Sequence, residues 1–261
     1  MSLLIATNEQ ALRSRSEPDV RAQQPVTPPN VSIILATYNE RENIATTTRA
    51  IFEHLGDDIE IIVVDDDSPD QTWRLVAEYD DPRVVLIRRV ATRGLASAFN
   101  RGIIESRGRY VGWMDADMCM PPALIPKMIQ KLDDYDICIG SRYAPGGMDD
   151  RTKFRVLCSR LINGLARVVL GYGVRDYDSG FIMLRRSVFD KVSIIPTGYG
   201  AYFIEFLYTC LRKGLTVYEM PYRFTDRTVG QSKSAPNMVT FLWMGIGYVF
   251  RIFRARLRRF D

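Results

Sequence analysis

Five short apolar runs recur along the first half of the chain, each separated from the next by a stretch with helical periodicity. VSIILAT (31–37), IEIIVVD (59–65), RVVLIRR (83–89), YVGWMD (110–115) and DICIGS (136–141) read as buried strands. ERENIATTTRAIFEHL (40–55), PDQTWRLVAEY (69–79), GLASAFNRGIIES (94–106) and PALIPKMIQKL (122–132) read as helices. Ser68 or Asp67 is the expected N-cap of the second. Few folds accept this alternation. Strands joined by helical crossovers run parallel, and the helices then cover both faces of the sheet. The expectation is an α/β fold with a Rossmann-like, mostly parallel sheet flanked by helices, in a single domain over residues 30–235.

The second half is less regular. APGGMDDRT is a glycine-rich loop, and FRVLCSRLINGLARVVL (154–170) reads as a helix. DYDSGFIMLRRSVFDKV holds a turn, a short strand and a helix. GYGAYFIEFLYTCLRKG (198–214) is a helix closed by Gly214, and LTVYEMPYRF (215–224) alternates as a strand. Residues 1–29 are polar and read as a mobile arm. Residues 236–261 form the last unit, a C-terminal amphipathic, basic helix expected to associate with a membrane. Five arginines and one acid in RIFRARLRRFD supply its charge. Core packing of that helix fits the same pattern equally well.

In open α/β sheets ligands bind beyond the carboxyl ends of the strands. Polar groups gather at four such ends: Tyr38-Asn39-Glu40, Asp65-Asp66-Asp67, Asp115-Ala116-Asp117 and Ser141-Arg142-Tyr143. Like charges brought together need a cation or a proton. One acidic pair alone reads as helix capping, whereas two pairs on one rim favour ligand chemistry. Oxygen donors without imidazole or thiolate select Mg²⁺ or Mn²⁺, which takes one or two carboxylates and completes its shell with phosphates. A nucleoside diphosphate is the simplest such substrate. Arg227 and Lys233 bracket RTVGQSK, a loop that can close over phosphate, and Arg142 follows the fifth strand directly.

Several classes are disfavoured. His54 is the only histidine, so histidine-based catalysis is not expected. Four cysteines without C-x-x-C spacing argue for a reducing compartment and no zinc site. Neither phosphate-binding glycine fingerprint is present, a net charge of +4 argues only weakly for an anionic partner, and no nucleic-acid partner is expected. No secretory signal is read in MSLLIATNEQ, and MVTFLWMGIGYVF is too short an apolar run to span a bilayer.

VSIILATYNERENI, IVVDDDSPDQTW, MDADM, IGSRY, DYDSGF, the glutamate of GAYFIEFLY and RTVGQSK occur in that order, from about Val31 to Lys233. Together they resemble glycosyltransferase family 2, of GT-A fold, and within it the dolichol- or polyprenol-phosphate mannosyltransferases. That resemblance implies an inverting hexosyl transfer, mannose from GDP-mannose to a polyprenyl or dolichyl phosphate. It implies that Tyr38, Glu40, Val64 and Asp66 hold the nucleoside, with Ala36 and Ala116 also substrate-binding. Asp115 and Asp117 would meet metal and diphosphate. Arg142, Arg227 and Lys233 would contact donor diphosphate or acceptor phosphate, and Arg155 the acceptor phosphate. Asp176 and Glu205 match acidic positions of the sugar-side pocket. The implied partners are the nucleotide sugar, the polyprenyl phosphate, a membrane surface at its cytoplasmic face and, as an option, a membrane-anchoring subunit.

Three positions depart from the family's pattern. Ala36 replaces a proline, Gln71 stands where glycine is common, and Cys119 stands where glutamine or serine is usual. A neutral thiol is a poor ligand for a hard cation. Three other readings remain: the same fold with another donor such as UDP-glucose, a phospho-acceptor signalling domain suggested by VVDDDS, and a non-catalytic sugar-nucleotide-binding subunit.

Overall fold

A computed structural model describes residues 27–198, 200–225 and 238–258. The five apolar runs become β1 (Val31–Thr37), β2 (Ile59–Asp65), β3 (Val84–Arg88), β4 (Tyr110–Asp115) and β5 (Ile137–Ser141). Between them lie α1 (Ile44–Leu55), α2 (Thr72–Ala77), α3 (Leu95–Glu105) and α4 (Ile125–Lys131), the last entered through a 3-10 turn at Pro122–Leu124. The remainder comprises β6 (Met148–Asp149), α5 (Lys153–Leu170), β7 (Ile182–Arg185), α6 (Tyr202–Arg212), β8 (Val217–Pro221), β9 (Arg223–Phe224) and α7 (Met238–Leu257). A 3-10 helix at Arg186–Asp190 takes the place of the helix expected after β7.

The main sheet runs in the order β3-β2-β1-β4-β7-β5-β8. Only β7 is antiparallel to its neighbours. Alternate residues of β1 feed two cores. Ile34 packs with Ile62, Trp113 and Phe206 on the face covered by α3, α5, α6 and α7. Ile33 and Leu35 pack with Ile61, Val63 and Met128 on the face covered by α1, α2 and α4. Each fully buried aliphatic side chain of this kind contributes ~1.5–3 kcal/mol. Asn30, just before β1, ties the incoming chain to the interior of the sheet: its N donates to Asp58, and its carbonyl accepts from Tyr110 N. The rest of the expected arm lies outside the described residues.

The register aims the rim. Ala36 of β1 lies opposite Val64 of β2 and Asp115 of β4, and Thr37 lies opposite Asp65. The acidic ends of β2 and β4 therefore flank the end of β1.

Several expected boundaries shift for local reasons. α1 starts four residues late because Glu40 builds a turn first, accepting from the backbone N of Asn43 (3.0 Å) and from Asn43 Nδ2 (2.7 Å). The N-cap position of α2 is Gln71, not Ser68 or Asp67. Asp70 accepts from the Thr72 N instead (2.9 Å), while Ser68 serves Asp65. Gln71 has φ 63°, a left-handed conformation that glycine adopts at lower cost. The run 215–224 divides because the chain changes sheets after Pro221, and β9 pairs in parallel with β6 from the glycine-rich loop.

α7 packs on α5 and α6, with Ile252 and Ala255 fully buried. Its other face exposes Ile246, Phe250, Phe253 and Leu257. The helix is thus apolar toward the core and again toward solvent, and core packing and an outward apolar stripe coexist. No helix among the described residues is long and apolar enough to cross a membrane.

Candidate active site

The loop after β2 is organised by hydrogen bonds rather than by a cation. Asp65 is fully buried. Its carboxylate accepts from Thr37 Oγ1 (2.7 Å), Ser68 N (2.8 Å) and Ser68 Oγ (2.6 Å). Burial pushes this carboxyl up, and the Ser68 and Thr37 bonds pull it back. Asp66 accepts from Arg89 Nε (2.7 Å), from Arg89 Nη2 and from Gly94 N (2.8 Å). Asp67 pairs with Arg88. The five rim aspartates therefore do not share one cation. Asp65 and Asp67 serve the loop, and Asp66, Asp115 and Asp117 reach the cavity beyond it.

That cavity holds about 800 Å³. Ala36, Tyr38, Glu40 and Asp66 line one part, and Asp115, Ala116 and Asp117 line the end of β4. Arg142, Arg151 and Arg155 make it basic elsewhere on the wall, and Ile246, Tyr248 and Val249 of α7 cover it. The acidic turn is fixed by backbone bonds. Thr47 Oγ1 donates to the Ala116 carbonyl (2.7 Å), and Cys119 N donates to Asp117 Oδ1 (3.1 Å). Cys119 itself is buried and off the cavity wall.

Among the described residues no group of three or more His, Cys, Asp or Glu is placed to hold a metal. The donor set on offer is the Asp115–Asp117 pair, two hard oxygen ligands beside space for phosphate. This fits Mg²⁺ or Mn²⁺, whose shell phosphates and water complete.

Arg142 is buried and binds Asp176 in a fork: Nε to Oδ2 (2.9 Å) and Nη2 to Oδ1 (2.7 Å). The Arg142 N also donates to Asp176 Oδ2 (2.9 Å), and Nη2 reaches the Asp178 carbonyl (2.8 Å). Burial alone would lower the guanidinium pKa, but Asp176 raises it well above its ordinary value. Arg151 pairs with Asp149, which also accepts from Tyr143 (2.9 Å). Burial would raise the Asp149 carboxyl, yet Arg151 holds it down at about 2.

Three expected substrate residues stand elsewhere. Val64 is core. Asp176 sits behind Arg142 and off the wall. Glu205, buried on α6, pairs with Arg251 and lies 3.8 Å from Arg254, tying α7 down. The Asp176 carboxylate is taken up by the Arg142 fork, and the Glu205 carboxylate faces Arg251 and Arg254 of α7. Arg227 and Lys233 lie outside the described residues.

Other wall residues carry no signal in the linear pattern. Arg93 stacks over Tyr38 at 4.8 Å and donates to its hydroxyl (3.0 Å). Asp178 stands within DYDSGF, where spacing alone does not tell which aspartate faces inward. Its withdrawal from bulk solvent pushes the carboxyl up to about 6; Arg142 opposes that rise and Asp176 adds to it.

The sign of the Asp178 shift sets a pH dependence. Between pH 4 and 6 the folded state keeps a proton that the unfolded chain releases, so stability falls as pH rises. Asp178→Asn cannot titrate. Thermal unfolding should show the variant gaining on the parent from pH 4 to 7, with a constant difference above that. Parallel curves across the range would contradict the shift.

Residues 32–193 match the model of glycosyl transferase family 2. The chain is 40% identical over 211 residues to the dolichol-phosphate mannosyltransferase of Pyrococcus furiosus, a match covering 78% of this chain and 58% of that protein. The chain thus spans little more than half that relative's length. It is 33% identical over 217 residues to the polyprenol monophosphomannose synthase of Mycolicibacterium smegmatis, covering 79% and 82% of the two chains. The solved glucosyl-3-phosphoglycerate synthase of Mycobacterium tuberculosis with Mn²⁺, UDP and glucosyl-3-phosphoglycerate superposes with a TM-score of 0.67 at 16% identity, covering 89% and 82%. The same enzyme with Mg²⁺ and UDP gives 0.66 at 16% identity, covering 89% and 81%. The GT-A fold implied by the motifs is therefore the fold observed, and the chain belongs to glycosyl transferase family 2.

Proposed function

We propose that this chain transfers mannose from GDP-mannose to the phosphate of a polyprenyl or dolichyl phosphate, with inversion, at a membrane surface. The observation that carries the proposal is the cavity's division. Two adjacent carboxylates, Asp115 and Asp117, stand on a wall that elsewhere presents Arg142, Arg151 and Arg155. The carboxylates suit a metal-bound diphosphate, and the arginines suit a second phosphate. The names of the two relatives support mannose as the sugar and a polyprenyl phosphate as the acceptor.

The donor's nucleoside lies toward Tyr38, Glu40 and Asp66. Arg155 orients the acceptor phosphate, with Arg227 and Lys233 assigned to phosphate as well. An acceptor phosphate oxygen attacks the anomeric carbon. The new C–O bond forms as the bond to the diphosphate oxygen breaks, and that oxygen keeps the electron pair. A phosphate monoester has a second pKa of about 6, so it arrives largely dianionic and no protein base need remove a proton. When bound, Mg²⁺ or Mn²⁺ supplies positive charge against the departing diphosphate. The protein's own contribution is position and fixed charge.

The acceptor's chain requires an apolar approach. Phe154, Leu157 and Leu161 on α5 are exposed at helical spacing, as are Ile246, Phe250, Phe253 and Leu257 on α7. The two helices pack together, and Leu161 and Ile246 also line the cavity. The cavity thus opens onto an apolar face. Exposed Arg254, Arg256 and Arg258 suit anionic headgroups.

Transfer assays with labelled GDP-mannose or UDP-glucose, a polyprenyl phosphate and either Mn²⁺ or chelator test the reaction. GDP-mannose with Mn²⁺ should give lipid-linked mannose, chelator should abolish it, and Asp117→Ala should lower kcat/KM by about a hundredfold or more. Full activity of Asp117→Ala with metal supplied would reject the metal-site assignment. Preference for UDP-glucose would reject the donor.

Flotation with anionic vesicles tests the surface. Leu157→Glu with Phe250→Glu and Phe253→Glu should leave the thermal midpoint nearly unchanged and abolish flotation. Undiminished flotation would reject this face.

A further inference from the structure

Asp178 is a carboxylate on the cavity wall that the proposed reaction does not use. Its backbone is held in place. Arg142 Nη2 donates to its carbonyl (2.8 Å), and the following turn is tied by Phe181 N to Ser179 Oγ (3.2 Å). The Tyr248 hydroxyl donates to its carboxylate from α7. Gly200 keeps that meeting point open: a Cβ there would overlap the Tyr248 hydroxyl and stand 3.5 Å from Asp178 Oδ1. Three segments distant in sequence therefore converge on one carboxylate, whose side chain is 25% exposed.

The chemistry of the wall narrows what this group meets. Anionic parts of a ligand find Arg142, Arg151 and Arg155 in the same cavity, and an ionised carboxylate repels them. A carboxylate only accepts hydrogen bonds and has about four acceptor sites; Tyr248 uses one, and Arg142 Nη2 stands 3.9 Å from Oδ2, beyond hydrogen-bond length, so the others stay open to donors. Its natural partner is a neutral group rich in O–H donors. In a cavity whose phosphate-binding side chains are already accounted for, that group is the transferred sugar.

We propose that Asp178 binds the donor hexose through its hydroxyls and so selects the sugar, with Tyr248 orienting the carboxylate. This rests on the mannosyl-transfer reading above. The elevated carboxyl pKa has the sense expected of a group withdrawn from water in readiness for a hydroxyl ligand.

The test compares GDP-mannose with its monodeoxy-hexose analogues on the parent enzyme and on Asp178→Asn, with GDP binding measured alongside. In the parent, removing the hydroxyl that Asp178 accepts should cost roughly 10- to 100-fold in kcat/KM. In Asp178→Asn, GDP-mannose should fall by a similar factor, and that analogue should lose little more. GDP has no hexose, so its affinity should stay within about twofold. Tyr248→Phe keeps the carboxylate and should show a smaller loss at the same hydroxyl, which preserves the test if Asp178→Asn folds poorly. Equal penalties for every deoxy analogue in parent and variants would overturn the assignment, as would GDP affinity falling in step with GDP-mannose turnover. Failure of the parent enzyme to use GDP-mannose at all would instead overturn the reaction on which the assignment rests.

Discussion

The buried pair of Arg142 and Asp176 organises the basic side of this molecule. One guanidinium joins the end of β5 to the turn before β7 through a two-bond fork. It spends a further donor on the Asp178 carbonyl. Removing one partner of such a pair typically costs about 3–5 kcal/mol, because the other charge is left buried. The pair thus fixes where Asp178 points and presents Arg142 at the cavity in a single orientation. The acidic side has its own brace in Thr37, Asp65 and Ser68, which closes the loop after β2 against β1. The two braces hold opposite parts of one rim while β4 delivers Asp115 and Asp117 between them.

α7 extends this logic outward. Glu205 holds it by two arginines, and Tyr248 reaches from it to Asp178. A single helix therefore packs on the core, roofs the cavity and carries exposed Phe250 and Phe253 on its outer face. A glutamate expected at the sugar serves instead to position the helix that covers it.

Much of the scaffold was legible from residue pattern. β1, β2 and β4 fall on their expected bounds because short, nearly uninterrupted apolar runs leave little freedom in a doubly covered sheet. Helix starts were less legible, since Glu40 and Asp70 create local turns whose hydrogen bonds have no periodic signature. The antiparallel β7 has no local mark, because strand direction is set by which neighbours it finds. The acidic rim was legible as composition but not as pairing. Arg88, which ends the next strand, and Arg89 just after it pair with Asp67 and Asp66. The choice between Asp176 and Asp178 was likewise hidden. They are two residues apart, and only the fold decides that Asp176 takes the Arg142 fork while Asp178, beside the same guanidinium, lines the cavity.

Asp115 and Asp117 are proposed to seat a metal-bound nucleoside diphosphate in this one cavity. A crystal structure of the chain with GDP and Mn²⁺, with the cation located by anomalous scattering, tests it most directly. A Mn²⁺ peak is expected within about 2.2 Å of carboxylate oxygens of that pair, with the nucleoside toward Tyr38 and Asp66. Nucleotide bound in the cavity with no cation on those carboxylates, or a cation held elsewhere, would contradict it.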